Sequence, residues 1–182
     1  MAKIIIGLSG EMASGKGTVA KYISEKYNAS SYRFSTMLRD VLNRLYIEQT
    51  RENVSKISTI LRQNFGEDLF AKVMAEDVKK NSSEVIAIDG IRRQADITHL
   101  KEIPEFKFIY IEADIKNRYE RIAEREENVD DKGKTFEEFV EEHKLETELQ
   151  IKDLKNSADI VINNDGTLED LYQKIDEVIN KN

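Results

Sequence analysis

The sequence predicts an α/β protein: a parallel sheet with helices covering both faces. Three observations carry this. Hydrophobic, strand-like runs alternate with segments whose apolar residues recur at helical spacing. The turn after the first run has the spacing G-x-x-x-x-G-K. The candidate site residues fall at or beyond the C-terminal ends of the runs, where parallel sheets bind ligands.

Ile4 to Ile6 read as a buried strand entering Gly10-Glu11-Met12-Ala13-Ser14-Gly15-Lys16-Gly17-Thr18, and Val19-Ala20-Lys21-Tyr22-Ile23 leaves it as a helix ending near Tyr27-Asn28. Strand, loop and helix at this spacing form a phosphate cradle. Backbone N–H groups face the phosphate oxygens, the helix N-terminus presents about half a positive charge, and Lys16 adds a full one. Glycines at 10, 15 and 17 allow close approach and dihedrals that a Cβ disfavours. A glycine-rich turn that binds nothing is the alternative, but the spacing, the lysine, the Thr18 hydroxyl and the strand–helix context agree on the cradle.

Ser31 to Phe34 reads as a second short strand. Ser35 suits an N-cap, and Leu38, Val41, Leu42 and Leu45 repeat at helical spacing through about Ile47. Val54, Ile57, Leu61 and Phe65 give another helix that Gly66 would stop, and Leu69, Phe70, Val73, Met74 and Val78 a third. Such stripes are read as packing surface. Glu84 to Asp89 is a strand ending in an acid, turned away at Gly90. An aspartate there can hold a magnesium shell through water, or it can cap the next helix. Arg92 and Arg93 follow at once and favour an anion site.

Phe106 to Glu112 is the fourth strand and Ala158 to Ile162 the fifth. Leu168, Leu171, Ile175, Val178 and Ile179 make a closing amphipathic helix behind the capping box Thr167-x-x-Asp170. Between Ile115 and Lys155 the chain is densely charged; Thr135-x-x-Glu138 suggests a helix start after a connection over Asn128 to Lys134. Arg121 and Arg125, four apart, share a helical face and can reach one phosphate chain. Two charges 4 Å apart are worth about 1 kcal/mol in bulk water and about 4 at an effective dielectric near 20, so a lid that expels water is the natural device.

The chain has 182 residues and no Pro/Gly/Ser-rich linker, which fits one domain. It has no cysteine, so disulfides, thiolate catalysis and Cys-ligated zinc are excluded. A net charge of −7 argues against nucleic acid as a partner. No apolar run approaches a membrane span and no signal peptide is evident, so a cytoplasmic protein is expected. Oligomeric state is left open.

These motifs resemble the nucleoside-monophosphate kinases, with adenylate kinases as the best-known members. Gly10 to Thr18 is similar to G-x-P-G-x-G-K-G-T, including the K-G-T ending, and Asp89-Gly90-Ile91-Arg92-Arg93 to D-G-F-P-R. Glu120 to Arg125 resembles the run that opens the family's lid, with Asp130-Asp131 matching an acidic pair within it, and Met37-Leu38-Arg39 resembles the end of the acceptor motif. A closer likeness, through D-G-I-R and A-D-x-V-I-x-N-x-G-T-L-E, is to small adenylate-kinase-related or dephospho-CoA-kinase-related proteins. The resemblance implies a three-layer P-loop NTPase fold with a five-stranded parallel sheet, a helical acceptor region over about 35–80 and a short lid over about 121–150.

It further implies ATP or GTP with Mg2+, held by Gly10, Ala13, Ser14, Gly15, Lys16, Gly17 and Thr18, with Arg121, Asn163 and Gly166 beside the donor. Thr18 and Asp89 would serve the metal through water; Arg39, Arg92 and Arg93 would hold the acceptor; Lys16, Arg93, Arg121 and Arg125 would act on the transferring phosphate. Met12-Ala13 replaces the family's Pro-Gly, and Phe34, Ser35 and Thr36 stand where Thr-Gly-Asp would be, so the acceptor's base is unspecified. His143-Lys144 among glutamates, where the family places arginine, implies a weaker or pH-sensitive lid. The leading expectation is phosphoryl transfer from a magnesium nucleoside triphosphate to a small phosphorylated acceptor, a nucleoside monophosphate. A nucleotide-binding switch or ATPase without a small acceptor is one alternative. Dephospho-CoA or another small hydroxyl acceptor is a second, disfavoured because Ser30 to Ser35 offers no aspartate as base.

Overall fold

The computed structural model describes residues 4–124, 135–142 and 146–181. Its sheet has five parallel strands in the order β2-β3-β1-β4-β5: β1 (Ile4–Ser9), β2 (Ser30–Arg33), β3 (Val85–Asp89), β4 (Phe106–Glu112) and β5 (Ile160–Asn163). The expected α/β architecture is present. β1 lies at the centre and runs three residues beyond Ile6, and all six of its residues are buried. That follows from cover on both faces, which leaves a central parallel strand no polar side.

Side-chain alternation divides the core in two. Ile4, Ile6 and Leu8 of β1, Ala87 of β3 and Ile109 and Ile111 of β4 pack against α1 (Lys16–Tyr27) and α9 (Leu168–Asn180) through Val19, Ile23, Leu171 and Ile175. Ile5, Ile86, Ile88, Phe106 and Phe108 face the other way, onto α2 (Phe34–Arg44), α4 (Leu69–Lys80) and α8 (Glu146–Asp153) with its following 3-10 turn, through Phe34, Leu38, Phe70, Met74, Ile151 and Leu154. Gly7 makes room for this second core: a Cβ there would lie 2.6 Å from the Phe106 ring.

The first face carries a polar clamp. Tyr22 and Tyr172 stack at 3.8 Å, and Asp176 of α9 accepts from Tyr22, Tyr27 and Lys26 of α1 at 2.8, 2.7 and 2.6 Å. Burial alone would raise the Asp176 carboxyl, but these three donors outweigh it and hold it below the usual 3.8.

The remaining helices are α3 (Arg51–Phe65), α5 (Gln94–Ile97), α6 (Ile115–Glu124) and α7 (Phe136–Glu142). Both predicted capping boxes form: Asp170 N–H donates to Thr167 Oγ1 at 3.1 Å and Glu138 N–H to Thr135 Oγ1 at 3.2 Å. Other expectations shift. Phe34 belongs to α2, with Arg33 in the N-cap place of Ser35. α2 ends at Arg44, where Tyr46 turns with φ 56° and stands 91% exposed. The apolar stripes of α2 to α4 are only partly core. Leu38, Leu42, Phe70, Met74 and Val78 are buried, whereas Val41, Leu45, Phe65 and Val73 are exposed, because an amphipathic surface helix buries one stripe and turns the rest of its circumference to solvent.

Candidate active site

The phosphate loop joins β1 to α1 and takes its shape from backbone that few side chains tolerate. Gly10 and Gly15 have φ of 146° and 107°. A Cβ on Gly10 would lie 2.1 Å from the Ile111 carbonyl oxygen, and one on Gly15 2.3 Å from Asn164 Nδ2. Gly17 differs: a Cβ there would meet nothing within 4 Å, so that side of the loop is open. Ala13, where the resembling family has glycine, is held at φ 58°. Its methyl joins Ile122 of α6 and Phe139 of α7 in a small buried cluster, which offsets the strain of a left-handed alanine. Lys16 Nζ donates to the Gly10 and Glu11 carbonyls at 2.6 and 2.8 Å, folded across the loop it would share with a phosphate.

On the flank where the donor is expected, a cleft of about 200 Å³ is lined by Gly15, Thr18, Arg121, Asn164, Gly166, Leu168 and Leu171. Four predicted residues therefore meet here. Arg121 donates to the Asn164 carbonyl at 2.6 Å and to the Ala13 carbonyl at 3.4 Å. Asn163 is exposed; its amide donates to Asp165. Its neighbour Asn164 is the buried member, donating from Nδ2 to the Ser14 carbonyl at 2.8 Å. The alternation of β5, with Ile162 and Asn164 in and Val161 and Asn163 out, was the signal that distinguishes them.

Two further residues that motif reading missed anchor α6, Arg118 to the phosphate loop and Asp165 to the segment after β5. Arg118, 3% exposed, reaches Glu11 Oε1 at 3.2 Å and the Ala113 carbonyl at 3.1 Å, and lies 5.9 Å from the centre of the Phe139 ring. Its place three residues before Arg121, on the same helical face, was the available clue. Asp165 accepts from the Asp114 N–H at 2.6 Å and from Asn117 at 2.9 Å. The Asp114 N–H is the main reason its carboxyl lies below the usual value, against the opposing effect of burial. Arg125, Asp130-Asp131, the Asn128–Lys134 connection and His143-Lys144 lie outside the described residues.

On the flank where the acceptor is expected, β2 and β3 end in register at Arg33 and Asp89. Arg33 Nε and Nη2 lie 3.1 and 3.0 Å from Asp89 Oδ2, while Asp89 Oδ1 accepts the Gly90 N–H at 2.7 Å. The cap of the next helix comes from Asp96, which accepts the Arg92 and Arg93 N–H groups at 3.0 and 3.1 Å and pairs with Arg62 at 2.7 Å in the buried interior. Arg93 reaches Glu67 at 3.2 Å, and Arg39 donates to the Gln49 carbonyl at 3.2 Å. The Arg92 side chain is exposed. Ser9 Oγ donates to the Ile91 carbonyl at 2.9 Å, tying the end of β1 to this loop.

Among the described residues no group of three His, Cys, Asp or Glu could hold a metal alone. Magnesium takes one or two protein oxygens and completes its shell with water and phosphates. Asp89 at the end of β3 and the Thr18 hydroxyl on the first turn of α1 are oxygens of that kind.

A family model described as an AAA domain matches residues 9–140. The UPF0200 protein of Methanoregula boonei is 31% identical over 176 residues, spanning 96% of this chain and 95% of that relative. The chain belongs to the AAA-domain and UPF0200 families. A second UPF0200 protein, from Sulfurisphaera tokodaii, is 30% identical over 179 residues, 97% of this chain and 96% of the relative. Among solved structures, the chain is similar in fold to a shikimate kinase from Bacteroides thetaiotaomicron, with TM-score 0.63 and 16% identity over 97% of this chain and 98% of that one. It is likewise similar to a gluconokinase from Sinorhizobium meliloti, with TM-score 0.60 and 12% identity over 98% and 93%. This UPF0200 member thus has the fold of small P-loop kinases, in keeping with the resemblance read from its motifs. No helix among its described residues is long and apolar enough to cross a membrane.

Proposed function

We propose that this protein is a phosphotransferase that moves the γ-phosphate of a magnesium nucleoside triphosphate, ATP, to a small phosphorylated acceptor, a nucleoside monophosphate. The observation that carries the reading is the distribution of cations around one loop: Lys16 across it, Arg121 on the donor flank, and Arg33 and Arg93 on the acceptor flank. Such an arrangement neutralises two phosphate chains that must approach each other.

Lys16 and the loop N–H groups bind the β- and γ-phosphates, Lys16 leaving the Gly10 and Glu11 carbonyls to do so. Bound magnesium supplies charge neutralisation between those phosphates, and Thr18 and Asp89 are the residues that would position it. Arg93 exchanges Glu67 for the acceptor phosphate, joined by Arg39 and Arg92. Because an exposed ion pair is worth at most about 1 kcal/mol, that exchange costs little. An acceptor oxygen then bonds to the γ-phosphorus as the bond to the β–γ bridging oxygen breaks. Arg121 with Arg125 holds the developing charge and excludes water. The acceptor phosphate is already anionic, so alignment replaces a general base. A hydroxyl acceptor would need such a base, and β2 ends in Arg33.

The test is a coupled turnover assay with ATP or GTP against a panel of nucleoside monophosphates and dephospho-CoA. Turnover with one monophosphate is the expected result. Nucleotide binding without stimulation by any monophosphate would refute the reading in favour of an acceptor-free switch. Lys16→Ala should abolish turnover while the unfolding midpoint stays unchanged.

A further inference from the structure

Arg33 and Asp89 come from different strands, yet they stand side by side because β2 and β3 pair in parallel with Arg33 opposite Asp89. Both Arg33 nitrogens converge on Asp89 Oδ2, and Oδ1 is taken by the Gly90 N–H. Both oxygens of the carboxylate that would face the metal shell are therefore engaged. The two sides of the pair are unequal: the Arg33 side chain is 60% exposed and that of Asp89 only 15%. Arg33 can leave without rearranging the sheet, whereas Asp89 is fixed by its strand. Arg33 is also the last residue before α2, which opens the helical region carrying Arg39.

We infer that Arg33 is an acceptor-sensing positioning residue, which masks Asp89 until an anionic acceptor draws its guanidinium away. This rests on the phosphotransfer reading above. A phosphomonoester carries up to two negative charges and several acceptor oxygens against the single charge of Asp89, so it competes well for the guanidinium. Once Arg33 moves, Asp89 Oδ2 is open to the metal shell. Asp89 would thus be free to help hold the metal shell only when both substrates are present. Without acceptor, the masked site resists the wasteful reaction, in which a water oxygen bonds to the γ-phosphorus, the bond from that phosphorus to the β–γ bridging oxygen breaks, and a nucleoside diphosphate, inorganic phosphate and a proton are released. The specificity that follows is for acceptors with an anionic group close to the reacting centre.

The experiment measures Mn2+ affinity of the ADP-loaded protein by electron paramagnetic resonance, together with ATP hydrolysis in the absence of acceptor. Arg33→Ala is expected to tighten Mn2+ binding about two- to fivefold, the scale of one partly exposed ion pair, and to raise acceptor-free hydrolysis. In an Asp89→Asn background the same Arg33→Ala change should have no effect on Mn2+, because the carboxylate it uncovers is gone. Unchanged Mn2+ affinity in Arg33→Ala, or an equal gain in the Asp89→Asn background, would overturn the inference. The Mn2+ readout needs no acceptor, so a failed acceptor panel tells against the phosphotransfer reading and leaves this measurement to be judged separately.

Discussion

The Asn164 side-chain amide donates to the Ser14 carbonyl at 2.8 Å, and a Cβ on Gly15 would lie 2.3 Å from that same nitrogen. The loop after β5 and the phosphate loop are thus fitted to each other across 150 residues of sequence. Asn164→Ala leaves the buried carbonyl without its donor, an expected cost of about 1–3 kcal/mol in urea unfolding. Nucleotide affinity should fall as well, because the loop loses the contact that holds its centre. An Asn164→Ala protein with unaltered nucleotide affinity would show that the loop is shaped from elsewhere.

Gly10 and Gly17 predict opposite responses. Gly10→Ala forces a Cβ against the Ile111 carbonyl oxygen at 2.1 Å, in a backbone with φ 146°. It should destabilise the fold by about 2 kcal/mol or more and abolish nucleotide binding. Gly17→Ala meets no described atom within 4 Å beyond its chain neighbours and its own helix backbone, so its unfolding midpoint should match the parent. Calorimetry of both variants with and without nucleotide tests the contrast.

Arg62 and Asp96 form an ion pair whose side chains are 7% and 3% exposed. Removing one partner of a buried pair costs about 3–5 kcal/mol. Asp96→Ala should be worse than Arg62→Met, since Asp96 also accepts the Arg92 and Arg93 N–H groups. In Arg62→Met the looser Arg92-Arg93 segment should raise KM for the acceptor more than KM for the nucleotide, which steady-state kinetics would read.

Stability should decline on the acid side through named carboxylates. Hydrogen bonds from His99 and then Lys72 lower Asp68 from 3.8 to about 2. Asp176 and Asp165 are also held below 3.8. Each folded value lies below the unfolded one, so each group stabilises the fold above its unfolded value and loses that contribution as pH falls through its folded value. The thermal midpoint should therefore fall as pH drops from 3.8 toward 2, the window set by Asp68. Asp176→Asn should lower the midpoint at neutral pH and flatten the acid decline; an unchanged profile would remove the α1–α9 clamp from the account.

Much of the sheet was legible because each strand's pattern is local. Ile4 to Ile6, Glu84 to Asp89 and Phe106 to Glu112 are apolar runs that fit a sheet covered on both faces. The loop spacing from Gly10 to Thr18 and the two capping boxes were legible for the same reason: their partners lie within a few residues. Helix faces were less so. Leu45 and Phe65 continue their stripes in sequence but stand exposed in the fold.

The sequence by itself determined the strand–loop–helix spacing from Gly10 to Thr18 and the parallel sheet that carries it, since backbone geometry and hydrophobic period are properties of neighbouring residues. Only the tertiary structure decided which distant residues serve that loop. Arg33 meets Asp89 across 56 positions because β2 lies beside β3, and Asn164, rather than Asn163, meets Ser14 because of the side on which β5 presents it. Strand order and register are set by the packing of the whole core, and no local spacing encodes them.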